Sequence, residues 1–126
     1  MDWPVVISLM ALLASIPLLS YEFRSFTGSL EAYRKGEELL VADLTPEQRK
    51  QYEAFGYFDV VGSVSGKRYR IYHGTHRNVV EVVGGRRGPG RCFTPRGDLV
   101  AGDCMLAQKV AIENYEEEVL RTALRF

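Results

Sequence analysis

The stretch YFDVVGSVSGKRYRIYHGTHRNVVEVV, residues 57–83, decides the fold, because three apolar runs follow one another in it between turn-forming residues. Alternation of apolar and polar residues predicts strands at Tyr57–Val64, Arg68–His73 and Asn78–Val83. Turns are predicted at Ser65–Lys67 and Gly74–Arg77. Consecutive strands with such short connections pair side by side in antiparallel fashion. The stretch therefore predicts a small antiparallel meander.

The alternation also predicts which side chains of these strands face the core. The inward set is Phe58, Val60, Tyr69, Ile71, Val80 and Val82. Arg68 and Arg70 of the second strand, and Glu81 of the third, are then predicted to point away from the core. An antiparallel sheet with one apolar and one charged face is typical of a domain that solvates one side of the sheet.

Helices are predicted before the meander. Thr45-Pro46-Glu47-Gln48 has the form of a helix start, with Thr45 as N-cap, proline at the first helical position and Gln48 completing a capping box. Gly56 ends this helix in the left-handed conformation. An earlier helix is predicted from Ser29 to about Ala42.

Beyond the meander, GGRRGPGR at Gly84–Arg91 is predicted to be a loop and Arg91–Thr94 a short fourth strand. Asp103 is predicted to cap a long helix that runs to the C-terminus, with Glu116-Glu117-Glu118 on its solvated side. The predicted apolar face of this helix comprises Ala111, Ile112, Tyr115, Val119, Ala123 and Phe126. The fold class is α+β: an antiparallel sheet of three or four strands, flanking helices and a long C-terminal helix.

The N-terminal segment differs from the rest of the chain. Between Trp3 and Tyr21 (WPVVISLMALLASIPLLSY) no side chain is charged, and as a helix at about 1.5 Å per residue the run approaches the thickness of a bilayer core. We predict a single membrane-spanning helix at 1–21, a juxtamembrane connector at 22–28 and the α+β domain at 29–126. A cleaved signal peptide and a buried helix are alternatives. The absence of a basic n-region disfavours the first, and the uniform apolarity disfavours the second.

Charges beside this segment predict its orientation. Arg24, Arg34 and Lys35 follow it, whereas Asp2 and the α-amino group precede it. By the positive-inside rule the domain is predicted to be cytoplasmic. Cys92 and Cys104 are then predicted to be free thiols, since disulfides are rare in that compartment.

Charge is unevenly distributed along the chain. The whole sequence has 16 basic and 16 acidic residues, but Gly66–Arg96 holds eight basic residues against one acid, a net charge of +7. Tyr69 and Tyr72 alternate with the arginines, a combination that single-stranded nucleic acid binders use, and anionic lipid would also be attracted. The alternative is that helix acids such as Glu113 and Glu117 neutralise the arginines. The candidate anion-binding residues are Arg68, Arg70, Arg77, Arg86, Arg87 and Arg91.

Histidines and cysteines supply a second set of candidates. His73 and His76 have a metal-like H-x2-H spacing, but eleven residues separate Cys92 from Cys104, unlike the close pair of a zinc knuckle. Cys104 is predicted at the start of a helix, where a thiol can become a nucleophile. A small buried residue is the alternative for Cys104, and exposed turn residues are the alternative for the histidines. No cofactor is predicted.

An ordered set of short motifs follows the turn before the second strand. GKRYRI (Gly66–Ile71) precedes Gly74 with Asn78-Val79, then come Cys92 and Pro95, and then Asp103 with LAQKVAIE. In this order the motifs resemble a family of small bacterial and phage proteins that has no established activity. The resemblance covers about Leu44–Ala123 and implies one domain over that range.

Together these features predict a single-pass membrane protein whose cytoplasmic α+β domain binds and does not catalyse. The predicted partner is a protein, with nucleic acid or anionic lipid as further candidates, and the membrane contact is Trp3–Tyr21. One alternative is a thiol- or metal-dependent enzyme centred on the cysteines and histidines named above. The other is a structural subunit of a phage or membrane complex.

Overall fold

The computed structural model describes the backbone of residues 17–126 and side chains from Ser29 onward. Within this range, three helices and a five-stranded antiparallel sheet confirm the predicted α+β class. The helices are α1 (Pro17–Asp43), α2 (Pro46–Phe55) and α3 (Ala101–Thr122). The strands, which neighbour one another in chain order, are β1 (Tyr57–Val61), β2 (Arg68–Tyr72), β3 (Val79–Val83), β4 (Arg86–Cys92) and β5 (Leu124–Arg125).

The chain divides into two compact units, Met1–Ala32 and Tyr33–Phe126. In the first, the structure describes the helical backbone from Pro17, so that residues 22–28, predicted to be a connector, belong to α1. Most of the predicted span Trp3–Tyr21 lies outside the described residues. None of the helices described from residue 17 onward is both long and apolar enough to cross a bilayer. All contacts reported below belong to the second unit.

The start and end of α2 follow the sequence prediction. The Thr45 hydroxyl accepts from the Gln48 backbone N–H at 3.2 Å, and the Gln48 side chain accepts from the Thr45 N–H at 3.1 Å. Gly56 ends the helix with φ 74°, in the left-handed region. The capping box and the glycine end are therefore confirmed.

The predicted loop at Gly84–Arg91 is wrong, because these residues form a hairpin. Gly84 and Gly85 both have positive φ, 58° and 76°, and connect β3 to β4 as a two-residue turn. The fourth strand thus begins at Arg86, five residues before the predicted start at Arg91.

A β-bulge allows a proline inside this strand. The pairing shifts between Val80–Gly90 and Val82–Arg87, which leaves Gly88 and Pro89 opposite Glu81. Residues of a bulge are not all paired, so the missing proline N–H costs no ladder hydrogen bond.

Strand pairing reverses the predicted orientation of β3. Glu81 is opposite the buried Tyr69, whereas Val80 and Val82 are opposite Arg70 and Arg68. Glu81 therefore lies on the face that carries the core, and the two valines lie on the other face. Val80 is nevertheless 0 % exposed there, so its predicted burial is confirmed, and Val82 is half-buried. The run VVEVV places valines on both faces of the strand, so alternation within β3 does not show which face is turned to the core.

One apolar cluster joins the sheet to α1 and α3. The predicted inward residues of β1 and β2 are confirmed, since none of them is more than 1 % exposed. Burying each of the larger side chains stabilises the fold by roughly 1.5–3 kcal/mol. The cluster consists of Leu40, Leu44, Phe58, Val60, Tyr69, Ile71, Val79, Met105 and Ile112.

Helix α3 begins before the predicted cap. Its N-cap is Val100, and Asp103 lies in the first turn instead. Gly102 lies directly against the backbone of Gly36 in α1, where a Cβ atom would overlap the Gly36 carbonyl group. The close crossing of the two helices needs both glycines and sets the position of α3.

A kink changes which residues of α3 face inward. The Ser63 N–H donates to the Ile112 carbonyl at 3.1 Å, and the Ser63 hydroxyl accepts from the Glu116 N–H at 3.3 Å. Ser63 therefore replaces one hydrogen bond of the helix, and Tyr115 leaves helical geometry (φ −137°, ψ 42°). As a result Tyr115 is 59 % exposed and Glu116 is 2 % exposed, the reverse of the prediction.

The C-terminus is not a continuation of α3. The helix ends at Thr122, and the backbone groups of Phe126 exchange two hydrogen bonds with Gly90 of β4. The Phe126 ring covers Gly90, where it would collide with any larger side chain. A glycine in β4 is thus required by an aromatic ring from the end of the chain.

Candidate functional site

The outer face of the sheet, opposite the core, displays its side chains in three rows that cross the strands. Residues paired directly across an antiparallel ladder lie on the same face. The rows are Tyr57–Tyr72, Asp59–Arg70–Val80–Gly90 and Val61–Arg68–Val82–Arg87, and the Phe126 ring covers Gly90 on this face. Among the sequence-predicted arginines, the outer face brings together Arg68, Arg70 and Arg87.

Three aromatic rings form one end of this face, and we call them the aromatic cluster: Phe55, Tyr57 and Tyr72. Phe55 stacks on Tyr57 with ring centroids 5.4 Å apart, and Tyr57 meets Tyr72 edge-on at 5.2 Å. Phe55 remains 66 % exposed. An exposed phenylalanine held against a tyrosine is a fixed apolar contact surface.

Two guanidinium groups lie over these rings. Arg70 Cζ is 4.2 Å from the Tyr57 centroid, and Arg87 Cζ is 5.2 Å from the Tyr72 centroid. Each exposed cation–π contact contributes about 0.5–1 kcal/mol. The rings therefore restrict the positions of the cations before any ligand arrives.

Asp59 neutralises one of the cations. Arg70 donates to the two carboxylate oxygens of Asp59 at 2.8 and 3.2 Å, and this pairing raises the pKa of Arg70. Arg68 is 3.9 Å from the same carboxylate, and its side chain is 64 % exposed. The alternative to anion binding was internal pairing with helix acids such as Glu113 or Glu117, but the acid that pairs with Arg70 is Asp59 of the neighbouring strand. Arg68 keeps most of its charge accessible.

Of the remaining predicted arginines, Arg91 and Arg86 lie away from this surface. Arg91 is 9 % exposed on the core-side face, where its Nη2 lies 3.6 Å from Glu81. Arg86, opposite Val83, alternates to that same side. Arg77 reaches the outer face, because it lies over the Phe126 ring, 4.8 Å from its centroid, and that ring covers Gly90, the partner of Val80.

The two histidines have separate surroundings. The hydroxyls of Tyr33 and Tyr52 lie 3.1 and 3.0 Å from the two ring nitrogens of His73, and Tyr52 also donates to Glu37 at 2.9 Å. Burial, together with the Glu37 carboxylate, raises the pKa of Tyr52. His76 instead lines a cavity of about 200 Å³ that includes Cys104. The H-x2-H spacing therefore does not produce a shared site.

The cysteines do not have the surroundings of reactive thiols. Cys104 is 1 % exposed, is the fourth residue of α3, and donates to the Thr75 carbonyl at 3.7 Å. Burial raises the pKa of this thiol, whereas a nucleophile needs a lowered one. Cys92 is a free, half-buried residue of β4. Among residues 29–126, no three His, Cys, Asp or Glu side chains are placed to hold a metal ion.

Glu116 occupies an anion-binding loop that the sequence did not reveal. The N–H groups of Val64 and Ser65 donate to it at 2.9 and 2.7 Å, the Tyr69 hydroxyl donates at 2.8 Å, and the Ser65 hydroxyl also donates. Burial alone would raise the pKa of Glu116, but the hydrogen bonds outweigh it and lower the pKa to about 2. The Glu116 carboxylate of the chain itself occupies the donors of this loop, so the loop stabilises the fold.

One member of the outer face was predicted without its position in a strand, and another was missed. Arg87 was assigned to a loop, although Gly84-Gly85 between two runs is a hairpin signal that would have placed it opposite Val82. Phe55 was predicted to be the last residue of a helix, and no local signal shows that it stacks on Tyr57.

No family model, curated protein or solved structure matches this chain. The resemblance to small bacterial and phage proteins stays a prediction.

Proposed function

We propose that this chain is a non-catalytic interaction domain that binds a partner protein through the outer face of its sheet and is tethered to a membrane by Trp3–Tyr21. The observation that carries the proposal is the aromatic cluster, with Arg70 and Arg87 over its rings and the exposed Arg68 on the same face of the sheet. Aromatic residues and arginine are enriched at protein interfaces and among their energetic hot spots. Side chains that are already ordered lose less entropy on binding.

A protein fits this surface better than a single-stranded nucleic acid does. Binding of bases requires aromatic faces on which they can stack. Tyr57 already contacts Phe55 and Arg70, and Tyr72 contacts Tyr57 and Arg87. Phe55 alone of the three rings is strongly exposed. The rings support one another and the arginines, as in a preformed protein-binding surface.

Site-specific photo-crosslinking in the native host tests the binding surface. A photoreactive amino acid at Phe55 or Val61 of the full chain is expected to capture a protein, whereas one at Val110, an exposed position of α3, is not. Capture of nucleic acid at Phe55 would favour the alternative partner class. Equal capture at all three positions, or none at Phe55 and Val61, would contradict the proposal.

The tether rests on the charge-free run at Trp3–Tyr21 and on the basic residues that follow it. The full chain is expected to sediment with membranes and to resist carbonate extraction, with the domain on the cytoplasmic side. A chain that starts near Gly28 is expected to be recovered without detergent. Intact full-length protein in the detergent-free cytosolic fraction would contradict the tether.

The thiol-enzyme alternative has less support. Cys104 and His76 line the same cavity, but the cysteine is buried and its pKa is raised. His73 contacts Tyr33 and Tyr52 instead. We expect Cys104→Ala to leave crosslinking at Phe55 unchanged. A loss of crosslinking in this variant would instead support a functional role of the cavity lined by Cys104 and His76.

A further inference from the structure

Three arginines of the outer face have their guanidinium groups over aromatic rings, and we call them the ring-bound arginines: Arg70, Arg77 and Arg87. Their Cζ atoms lie 4.2, 4.8 and 5.2 Å from the ring centroids of Tyr57, Phe126 and Tyr72, respectively. A ring attracts a cation to its electron-rich face but supplies no oxygen acceptor for the N–H groups of a guanidinium group. Each ring therefore holds its cation in place without satisfying its hydrogen-bond donors.

One of the ring-bound arginines also has a carboxylate partner. The Nε–H and Nη2–H groups of Arg70 donate to the two carboxylate oxygens of Asp59 at 2.8 and 3.2 Å. The Arg70 side chain, which has both the Tyr57 ring and this carboxylate as partners, is only 17 % exposed. At Arg70 the combination of ring, guanidinium group and carboxylate is thus complete. It is an example, within this domain, of the acceptor that such an arginine takes.

The other two ring-bound arginines have the ring and lack the carboxylate. Among the described residues, neither Arg77 nor Arg87 forms an ion pair with an acid, and both are exposed. Among the strand residues, Asp59 is the one acid on the outer face, because Glu81 lies on the core side. The outer face therefore presents two positioned cations for which the described part of the domain supplies no acidic partner.

We propose that an acidic segment of the partner protein completes these two combinations, with one Asp or Glu carboxylate bound by Arg77 and another by Arg87. This inference rests on the proposed function and adds the chemistry of the partner. Arginine binds a carboxylate through two parallel N–H···O hydrogen bonds, as Arg70 binds Asp59. Because the rings already restrict the two side chains, less conformational entropy is lost when the carboxylates bind.

An NMR titration tests the proposal on the full chain in nanodiscs of zwitterionic lipid. The probe is a hexaglutamate peptide with blocked termini, and hexaglutamine is the uncharged control. We expect hexaglutamate to shift the Nε–H signals of Arg77 and Arg87 and to leave that of Arg70 unchanged, because Asp59 already occupies the Arg70 donors. Hexaglutamine is expected to shift none of the three signals.

Charge variants sharpen the test. The double variant Arg77→Gln/Arg87→Gln is expected to weaken hexaglutamate binding about tenfold, the effect of two surface ion pairs. The matched control Arg86→Gln/Arg121→Gln removes the same charge from exposed residues that lie away from the outer face. This control should change the affinity by less than about twofold, since salt screens distant charges.

Asp59→Asn tests the example itself. This variant loses the carboxylate that occupies Arg70, so Arg70 should behave like the other two ring-bound arginines. We expect hexaglutamate to shift the Arg70 Nε–H signal in this variant and to bind about threefold more tightly, the effect of one more surface ion pair. An unchanged Arg70 signal would overturn the inference, because a ring-bound arginine would then not bind an added carboxylate.

Three further results would overturn the inference. They are the absence of shifts at Arg77 and Arg87, an equal loss of affinity in the two double variants, and tighter binding of a thymidine heptanucleotide, which carries the same charge as hexaglutamate. Photo-crosslinking separates this failure from that of the proposed function. If Arg77→Gln/Arg87→Gln leaves capture of a protein at Phe55 unchanged, the proposed function stands and the acidic segment falls. If no protein is captured at Phe55 or Val61 even without these substitutions, the proposed function itself falls.

Discussion

Polar groups on the two faces of the sheet differ in burial and in hydrogen bonding. On the core side, Glu116 is enclosed by four donors, and Asn78 and Gln108 exchange two amide hydrogen bonds at 2.8 and 3.0 Å. On the outer face, Arg68 and Arg87 are exposed. Arg68 lies 3.9 Å from the Asp59 carboxylate, and Arg87 lies over the Tyr72 ring. Satisfied and buried groups hold a fold together, whereas ordered but exposed groups are available to a partner. The comparison predicts that changes on the core side cost stability and changes on the outer face cost binding.

The largest effect is expected for Glu116→Gln. The amide oxygen can still accept from the Val64 and Ser65 N–H groups, but the charge is lost and the amide NH2 would meet the Ser65 and Tyr69 hydroxyls, which now donate to the second carboxylate oxygen. We expect a loss of about 3 kcal/mol in the free energy of unfolding, measured by urea titration at neutral pH. Glu117→Gln, one residue further along α3 and exposed, is the matched control and should change stability by less than about 0.5 kcal/mol. Similar stability of both variants would contradict the structural role of Glu116.

The same carboxylate predicts how stability depends on pH. Its pKa falls from the usual 4.5 to about 2 on folding, so the stabilisation is complete above about pH 5 and is lost as pH falls through about 2. The shift corresponds to about 3 kcal/mol. Urea titrations between pH 6 and pH 2 should therefore show a decline that is smaller in Glu116→Gln. An identical decline in the variant would show that other groups govern acid unfolding.

A smaller loss is expected for Gln108→Ala, about 1–3 kcal/mol, because Asn78 and the Phe93 carbonyl each lose a buried partner. Thermal unfolding followed by circular dichroism measures it. Asn114→Ala is the control on the same helix, since this exposed side chain bonds the Val110 carbonyl of its own turn. Equal melting temperatures for the two variants would mean that the amide pair adds nothing to stability.

The smallest effects on stability are expected on the outer face. Arg70→Gln removes the bidentate pair with Asp59 and should cost about 1 kcal/mol, whereas Arg68→Gln should cost less than about 0.5 kcal/mol. A larger loss of stability in Arg68→Gln than in Arg70→Gln, both measured in urea, would break the distinction between the two roles.

Sequence reasoning worked where neighbours in the chain decide the structure. The capping box of Thr45 and Gln48 and the glycine end at Gly56 depend on residues within one or two turns. The inward set of β1 and β2 follows from strict alternation. Arg68 and Arg70 were placed correctly on one face for the same reason.

Predictions failed where a distant residue changed a local pattern. Glu116 and Tyr115 exchanged places because Ser63, far away in sequence, enters the hydrogen-bond ladder of α3. A glycine is required at position 90 of β4 because the Phe126 ring occupies the space of a larger side chain. The local sequence GGRRGPGR contains no sign of this distant contact, so it was predicted to be a loop. The orientation of β3 depended on its pairing with β2, since its own residues are apolar in both registers.

The sequence by itself determined the α+β class, the ends of α2, the apolar face of the first two strands and the concentration of positive charge between Gly66 and Arg96. These follow from propensity, capping and alternation, which act over a few residues. Tertiary structure alone decided that Asp59 neutralises Arg70, that Arg91 lies on the core side and that Arg87 stands in register with Arg68. Strand pairing and the bulge bring these groups together, and such long-range contacts leave no local trace in the chain.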